Sequence, residues 1–441
     1  MQVIVERYER NPDYPWIDTK IDLLKGKDFA QDDPVRGPQM IYGWIQGRAL
    51  EAMVGHILWL RSQTTDRETE NLCNHMQQIV VELLQQLQKI RQKNNGHLFF
   101  SMTTDGEPVV LTKSGDIRKI ELTQASPFNY SDLFTAKGMY AAARFLENRE
   151  LITEAKSYCL AVDHALWHDN FVSDQQQFHS QKKAPQTKQG RPFGPYMIQI
   201  GTAALLAEHE QDNESVQTGL RLIEYVLQNH VNLNNRWPQL QDYDLCEQID
   251  DTGKPFQANG FVLSYPGHAL EFVGLALKFT NIVKKRNLAD PQQKQTIAQI
   301  ESLMPALLQQ NFRNGFNAVG GIFESVDLLT RKPVNSNMPW WSLPETMRAA
   351  LACYAIAETV KDRQICLHVF AACHNAFAQH YVRADLHEMA YQTLDRYAKP
   401  VDAIPATPDA DPGYHTGLSM IDCLKYFLHF YEKFKKQFRR L

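Results

Sequence analysis

The chain has 441 residues, of which 44% are hydrophobic, 22% charged and 10% aromatic, and its formal net charge is −4. These values are those of an ordinary soluble globular protein. The slightly acidic balance argues against a nucleic-acid binder, because the densest run of basic residues is only the short tail at 433–440.

The seven cysteines are scattered and odd in number, and they lie mostly in apolar helical runs. We expect buried free thiols in a reducing compartment, with no structural metal and no cofactor. The N-terminus lacks the apolar core of a signal peptide, and no apolar run is long enough to span a membrane. The sequence therefore predicts a cytoplasmic protein without a membrane partner.

Residues 1–38 contain prolines, glycines and aromatic residues without a clear period, so we predict an irregular lead-in with a short helix near 18–24. Apolar residues then recur at helical spacing. The predicted pairs of helices are 39–60 with 65–90, 131–147 with 152–167, 195–209 with 215–229, 268–287 with 291–310, and 345–360 with 364–380, followed by a long helix at 414–438.

Longer connections interrupt these pairs. At 96–127, an Asp105-Gly106 step between apolar runs predicts a small β-hairpin excursion. Residues 169–191 form a polar insertion that we interpret as a loop or lid, and further loops lie at 237–259 and 315–339. Long loops that alternate with short ones place the functional loops at one end of a ring of helices. Such a ring adds core around its circumference, so residues 1–441 can form a single domain.

The stretch Tyr265-Pro266-Gly267-His268-Ala269-Leu270-Glu271-Phe272 is a turn that leads directly into a helix. His268 and Glu271 are three residues apart, which puts both side chains on one helix face. An imidazole and a carboxylate so placed can act as an acid/base group and its orienting partner. The structural alternative is a capping histidine beside a solvated acid.

Polar residues occupy comparable places near the start of the first helix of other pairs. They are Arg48, Asp132, Gln199, Glu345 with Arg348, and His415. Convergence of such residues predicts a site. Each also has a structural explanation: Arg48 as a surface ion-pair member, Asp132 as a helix N-terminal acid, and Glu345 with Arg348 as a routine helix pair. Likewise, Trp340-Trp341 could plug the core or form a platform for a sugar ring.

Four segments together resemble the N-acylglucosamine 2-epimerase superfamily, which includes cellobiose 2-epimerases and mannose or aldose-ketose isomerases. These are the Tyr265–Phe272 stretch, Trp340-Trp341-Ser342-Leu343-Pro344-Glu345, Tyr414-His415-Thr416-Gly417 and Gln46-Gly47-Arg48. They occur in the family's order, and the resemblance runs from about residue 39 to 438.

The resemblance implies an all-α fold, an (α/α)6 barrel with long loops at one end, and metal-free proton transfer on a reducing sugar. By position, His268 and His415 would be the acid/base pair and Glu271 would orient or tune His268. Arg48 would hold sugar oxygens, and Trp340, Trp341 and Glu345 would line the pocket, with Gln199 and Arg348 as further candidate sugar-binding residues.

The chemistry suits these residue types. The proton on the carbon beside an open-chain aldehyde becomes acidic when the carbonyl is polarised, and a base with a pKa near 7 can remove it. A cation such as Arg48 can stabilise the resulting enediolate. Returning the proton to the same carbon from the other face gives a 2-epimer, and returning it to the neighbouring carbon gives a ketose.

One departure from the family pattern is Ile198, which stands where the family commonly carries a histidine after Met197. Gln199 cannot transfer a proton at neutral pH, and His179 in the polar insertion is a conceivable replacement. The missing histidine leaves three possibilities: an altered substrate, a narrowed reaction such as isomerisation only, or a non-catalytic sugar-binding protein. A glycoside hydrolase using carboxylates such as Asp132 and Glu345 is a separate alternative. We expect a small sugar as the partner and a monomer or homodimer.

Overall fold

The computed structural model describes residues 1–111, 116–123, 126–176 and 190–438, except for the side chains of residues 437 and 438. The chain forms two compact units. Unit 1 comprises Met1–His179, Asp385–His387 and Ala403–Leu418, and unit 2 comprises Ser180–Ala384, Glu388–Asp402 and Ser419–Leu441. The single domain expected for residues 1–441 stays a prediction.

Unit 1 is built on helices α1 (Gln2–Glu9), α2 (Gly43–Gln63), α3 (Arg67–Lys93), α4 (Tyr130–Phe145) and α5 (Arg149–Trp167). Helices α2 and α4 pack against each other, α3 packs on α2, and α5 packs on α4. The buried residues of α3 recur at spacings of three and four, as expected for a helix with one apolar face. In contrast, α4 buries every residue from Ser131 to Ala143, and α2 buries all of its residues from Gly43 to Val54 except Arg48 and Glu51.

Two glycines set how closely α2 and α4 approach. A Cβ atom added to Gly138 would lie 2.2 Å from the carbonyl oxygen of Gly47. No larger residue fits at this crossing without moving a helix backbone. Because Arg48 directly follows Gly47, this contact also fixes where the Arg48 side chain leaves α2.

The strands of unit 1 are short. They are β1 (Ile21–Asp22), β2 (Lys27–Asp28), β3 (Met40–Tyr42), β4 (Ser101–Thr103), β5 (Val109–Leu111), β6 (Ile117–Lys119), β7 (Phe128–Asn129) and β8 (Phe171–Val172). Antiparallel pairs join β1 to β2, β3 to β4 and β5 to β6, whereas β7 and β8 are parallel. The predicted β excursion at 96–127 is confirmed, and Gly106 at its turn has φ +82°.

The lead-in differs from the prediction in two ways. Residues 2–9 form α1, and the helix predicted near 18–24 is wrong, because Ile21–Asp22 pairs with Lys27–Asp28 as a hairpin. The Asp22 carboxylate accepts hydrogen bonds from the backbone N–H groups of Leu24 and Lys25. This local side-chain bonding favours a turn over a helix.

Unit 2 contains α6 (Gly194–Glu210), α7 (Asn213–Asn229), α8 (Pro266–Arg286), α9 (Pro291–Gly315), α10 (Ser342–Ile356), α11 (Val360–Ala376) and α12 (Ser419–Phe438). Helix α8 packs between α6 and α10, and α7, α9 and α11 each pack on the helix that precedes them. α12 packs on α10. The buried residues of α8 cover most of its circumference, as a helix with packed neighbours on both sides requires.

The strands of unit 2 are β9 (Arg191–Pro192), β10 (Gln248–Ile249), β11 (Gln257–Ala258), β12 (Phe261–Ser264), β13 (Phe316–Asn317), β14 (Gly321–Ile322), β15 (Ser325–Asp327), β16 (Lys332–Asn335), β17 (Met338–Pro339), β18 (Val382–Arg383), β19 (Met389–Ala390) and β20 (Thr393–Leu394). Four of them form one sheet in the order β11-β12-β15-β16, and the others pair as β9 with β10, β13 with β14, β17 with β20 and β18 with β19. The sequence predicted loops over most of these residues. Strands of two to four residues are too short to show a clear period of two.

The predicted helical pairs are confirmed within a few residues of their ends. The final helix is interrupted at its start, because Tyr414–Leu418 forms one turn of π-helix before α12 begins at Ser419. All seven cysteines lie among the described residues and are buried with free thiols, as expected. In the described part of the chain, no helix combines the length and the apolar character needed to cross a bilayer.

Candidate functional site

In unit 2, His268 lies in the first turn of α8, which starts with Pro266 and Gly267. Proline is favoured at this position because the first N–H of a helix has no intrahelical partner and the proline φ suits a helix. The side chain of His268 is 33% exposed, so the ring is accessible although its neighbours are buried. The predicted helix opening at His268 is therefore confirmed.

The hydrogen-bond partner of His268 is Glu247, which the sequence analysis did not single out. The ring Nδ1 lies 3.2 Å from one carboxylate oxygen of Glu247 and 3.3 Å from the other. Glu247 is only 6% exposed. It lies 21 positions before the histidine, outside α8, and no local spacing signals this contact.

Three carboxyl groups act on the charge of His268. Burial by itself would lower the pKa of the imidazole, but the charge and hydrogen bond of Glu247 raise it, with further contributions from Glu271 and Glu324. The net effect is a pKa above the ordinary value. Glu271, which is 5% exposed on α8, acts on the ring through its charge, whereas the carboxylate of Glu247 accepts the hydrogen bond from Nδ1.

Glu324, directly before β15, is the second functional candidate that the sequence did not indicate. Burial raises the pKa of its carboxyl group to about 7, although the nearby His268 lowers it. The Asn335 side chain donates a hydrogen bond of 2.7 Å to this carboxyl group. A half-buried acid with such a pKa can exchange a proton near neutral pH.

The two tryptophans differ in their surroundings. The Trp341 ring lies 5.3 Å from the His268 ring, centroid to centroid, at 31°. Gly267 permits this approach, because a Cβ there would lie 2.8 Å from the Trp341 indole. Trp341 is half-buried, whereas Trp340 is 6% exposed. Trp341 thus offers an indole surface beside the imidazole, and Trp340 packs in the core.

Glu345 and Arg348 form an ion pair on α10, and both side chains are almost fully buried. Arg348 also lies 4.0 Å from Asp422 of α12, and Gly274 of α8 faces its guanidinium. Burial would raise the pKa of Asp422, but Lys278 and Arg348 lower it below the ordinary value. A buried pair within such a network is fixed in place, so it is more than the routine helix pair considered from sequence.

Gln199 lies in α6 and is 2% exposed, and the preceding Ile198 is half-buried. His179, the conceivable replacement for a histidine at position 198, lies outside the described residues. The described residues next to position 198 therefore supply an amide rather than an acid/base group.

In unit 1, the Arg48 guanidinium lies over three aromatic rings. Its central carbon is 4.1 Å from the ring centroid of Phe134, and 5.4 Å from those of Trp44 and Tyr414. Aromatic faces attract a cation and exclude water around it. Arg48 is thus a half-buried cation held among aromatic rings.

His415 lies in the π-helical turn that packs against α2, and it is 7% exposed. The Asp411 side chain accepts hydrogen bonds from the backbone N–H groups of Tyr414, His415 and Thr416 at 2.7–3.2 Å. The ring of Tyr414 meets that of His415 edge-on at 5.0 Å. Single π-helical turns occur often at functional sites, where they place a side chain that a regular helix would turn away.

Asp132 has a structural role. Its carboxylate accepts hydrogen bonds from the Leu98 backbone, the Tyr158 hydroxyl and the Asn129 backbone, and it contacts the His97 ring at 2.9 Å. It is fully buried and forms a capping box with Asn129 at the start of α4. With its acceptor positions used in this way, Asp132 serves as the predicted helix N-terminal acid.

Comparisons with known proteins agree with this arrangement of helices. A family model described as N-acylglucosamine 2-epimerase (GlcNAc 2-epimerase) matches residues 127–416. No curated protein matches the chain by sequence.

Among solved structures, a cellobiose 2-epimerase from Spirochaeta thermophila DSM 6192 aligns with a TM-score of 0.64 at 11% identity, over 97% of this chain and 98% of that one. A cellobiose 2-epimerase from Bacillus thermoamylovorans B4167 aligns with a TM-score of 0.61 at 12% identity, over 96% and 100%. A D-mannose isomerase aligns with a TM-score of 0.60 at 13% identity, over 96% and 98%. These likenesses show a shared fold and confirm the predicted all-α, (α/α)6-barrel fold class.

Proposed function

Because this chain belongs to the N-acylglucosamine 2-epimerase family, a family of sugar epimerases and isomerases, we propose that it moves the proton at C2 of a reducing monosaccharide or disaccharide. The family makes it an isomerase. The proposal adds the reaction, the sugar class and the residues that carry the proton.

His268 is the proposed base on one face of the sugar. The observation that carries this assignment is its accessible ring, which is hydrogen-bonded through Nδ1 to a buried carboxylate. Among the described residues, no hydrogen bond engages Nε2, so this nitrogen can take a proton from a ligand. The charge and hydrogen bond of Glu247 raise the pKa of the ring above its ordinary value, which makes it a stronger base.

In the proposed reaction, the C2–H bond of the open-chain aldose breaks and its proton passes to an imidazole nitrogen. The electron pair forms the C1–C2 double bond and leaves the negative charge on O1, which gives an enediolate. Arg48 is the proposed cation for this oxygen, because a guanidinium among aromatic rings exerts its charge with little screening by water.

The second half of the reaction decides the product. Return of a proton from His415 to the opposite face of C2 gives the 2-epimer. Return of the proton to C1, with transfer of the O2 proton to O1, gives the ketose. We propose His268 and His415 as the acid/base pair in both cases, with Glu271 tuning the charge of His268.

The remaining candidates are proposed to bind the sugar. Trp341 offers an apolar face for a ring or an open chain beside His268. Gln199, Glu345 and Arg348 offer hydrogen-bond donors and acceptors for hydroxyl groups. Trp340 is proposed to support the position of Trp341 from the core.

The test is exchange of the C2 hydrogen in heavy water. We expect deuterium at C2 of at least one of mannose, glucose, N-acetylmannosamine and cellobiose, seen as loss of the C2 proton signal by NMR. His268→Asn and His415→Asn should each lower the exchange rate at least 100-fold, as expected for loss of a general acid or base.

His75→Asn is the control, because His75 is 53% exposed on α3 and pairs with Glu9. It should exchange at the rate of the unchanged enzyme. Full exchange in both His268→Asn and His415→Asn would contradict the assignment. Release of a reducing end without exchange at C2 would support a hydrolase instead.

A further inference from the structure

The carboxylate of Glu247 faces one nitrogen of the His268 ring and lies on a segment distant from it in sequence. We propose that Glu247 is a positioning residue, which keeps a proton on Nδ1 of His268 and so reserves Nε2 for proton transfer. This inference rests on the proposed function for its catalytic consequence, but its geometric part stands on the contact alone.

The first support is chemical. A carboxylate can only accept hydrogen bonds, and a neutral imidazole has one N–H donor and one bare nitrogen acceptor. With Nδ1 at 3.2 Å from the carboxylate of Glu247, the neutral ring must carry its proton on Nδ1 to make the bond. The bare nitrogen is then Nε2, and this is the atom that can abstract a proton.

The second support is rigidity. The backbone N–H of Glu247 donates to Leu263 in β12 at 2.9 Å, and its carbonyl oxygen accepts from Phe193 at 3.2 Å, just before α6. The next two residues form β10, which pairs with β9. The carboxylate therefore projects from a backbone that two neighbouring segments hold, as a group that orients another must.

The third support is the restricted setting of the ring. Phe193, Tyr265 and Trp341 all lie close to His268, with ring centroids 5.3–6.2 Å away. The acidic groups that act on it are Glu247, Glu271 and Glu324. Of these three, Glu247 makes the hydrogen bond, and aromatic packing limits rotation of the ring away from it.

Two substitutions separate the charge of Glu247 from its hydrogen bond. Glu247→Gln keeps an acceptor oxygen and removes the charge, and Glu247→Leu removes both at similar size. Asp251→Asn is the matched control, because Asp251 is an acidic residue of the same loop with a side chain that is 70% exposed. Each variant is first checked for a native thermal unfolding midpoint.

The direct readout is the protonation of the ring in solution. In protein labelled with 15N at histidine, the neutral His268 ring should carry its proton on Nδ1 in the unchanged enzyme and in Asp251→Asn. In Glu247→Leu it should shift toward the Nε2–H form that free histidine favours. A neutral ring protonated on Nε2 in the unchanged enzyme would overturn the inference whether or not any sugar reacts.

The kinetic readout is the pH dependence of C2 exchange. A base must be unprotonated, so the rate rises with pH through the pKa of His268. Glu247→Gln removes a negative charge beside the ring, which lowers that pKa and moves the rise to lower pH. We expect kcat to fall about 10-fold in Glu247→Gln and about 100-fold in Glu247→Leu, the range for loss of an outer partner of a functional imidazole.

KM should change little, because Glu247 is proposed to contact the ring rather than the sugar. A raised KM with unchanged kcat and an unmoved pH profile would overturn the positioning role. If His268→Asn keeps full exchange, the proposed function fails, and the NMR result still decides whether Glu247 fixes the ring.

Discussion

The ammonium group of Lys137 donates a hydrogen bond of 3.1 Å to the phenol oxygen of Tyr414. The same ammonium group pairs with Glu51 at 2.9 Å. Burial by itself would lower the pKa of Lys137, but the charge of Glu51 and the hydrogen bonds of Lys137 with Glu51 and Tyr414 raise it above the ordinary value. Lys137 thus stays charged inside unit 1 and ties α4 to the turn that carries His415.

We predict that Lys137→Met destabilises the protein by about 3–5 kcal/mol, because it leaves the carboxylate of Glu51 without its partner in a mostly buried setting. Urea denaturation at pH 7 measures the loss in free energy of unfolding. The double variant Lys137→Met with Glu51→Gln should recover part of the loss. A double variant with the sum of the two single losses would contradict an interaction between these side chains.

The contact of α2 with α4 gives a second prediction. Gly138→Ala should lower the free energy of unfolding by about 1–3 kcal/mol, because its added Cβ meets the backbone of Gly47. The adjacent Arg48 should move with α2, so kcat/KM for C2 exchange should fall as well. Gln85→Ala, at an exposed position of α3, should change stability by less than about 0.5 kcal/mol. Equal stability of Gly138→Ala and the unchanged protein would show that the helices can separate at little cost.

Glu324 predicts a dependence of stability on pH. Its pKa is raised from 4.5 to about 7 in the folded protein, mainly by burial, so the unfolded chain loses this proton first. The carboxyl group therefore does not lower the free energy of unfolding below about pH 4.5. Its destabilising effect grows as the pH rises and is complete above pH 7. Glu324→Gln should be more stable than the unchanged protein by about 1–3 kcal/mol at pH 8 and nearly equal at pH 4.5. Urea denaturation at both pH values tests this, and a gain of equal size at both would contradict it.

His230 predicts the opposite effect of pH, a free energy of unfolding that rises with pH. Burial lowers its pKa from 6.5 to about 4, although the carbonyl oxygen of Cys246 lies 3.1 Å from Nδ1 and raises it. The unfolded chain takes up a proton on this ring below about pH 6.5, whereas the folded protein does not until about pH 4. Stability should therefore fall by about 2 kcal/mol between pH 7 and pH 5 from this group alone.

His230→Asn should flatten that part of the curve of unfolding free energy against pH, whatever its effect on stability at pH 7. His75→Asn, whose ring is exposed, provides the comparison. An unchanged slope between pH 5 and pH 7 in His230→Asn would show that the ring takes up its proton over the same pH range in the folded and the unfolded protein.

Sequence predicted the helices well where apolar residues repeat over several turns. The segments that became α3 and α7 show one apolar face, and their buried residues follow it. The helix start at His268 was also visible, because Pro266 and Gly267 mark it locally. Helix α1 was missed. Residues 18–24 were wrongly predicted as a helix, because in so short a segment the hydrogen bonds from two backbone N–H groups to the Asp22 carboxylate are enough to favour a turn.

What the sequence determined by itself was the helical periodicity and the order of the helix pairs, and its motifs offered His268, Glu271, Arg48 and His415 as candidate site residues. Each of these depends on neighbours within a few positions along the chain. The partner of His268 was decided by tertiary structure, because Glu247 lies 21 positions away and reaches the ring only when β10, β12 and the start of α6 assemble. The same holds for the charge of Glu324, since burial rather than residue type raises its pKa. The spacing of residues along the chain does not show which distant side chains will be buried next to each other. Burial and such neighbours set the pKa of groups like His268 and Glu324.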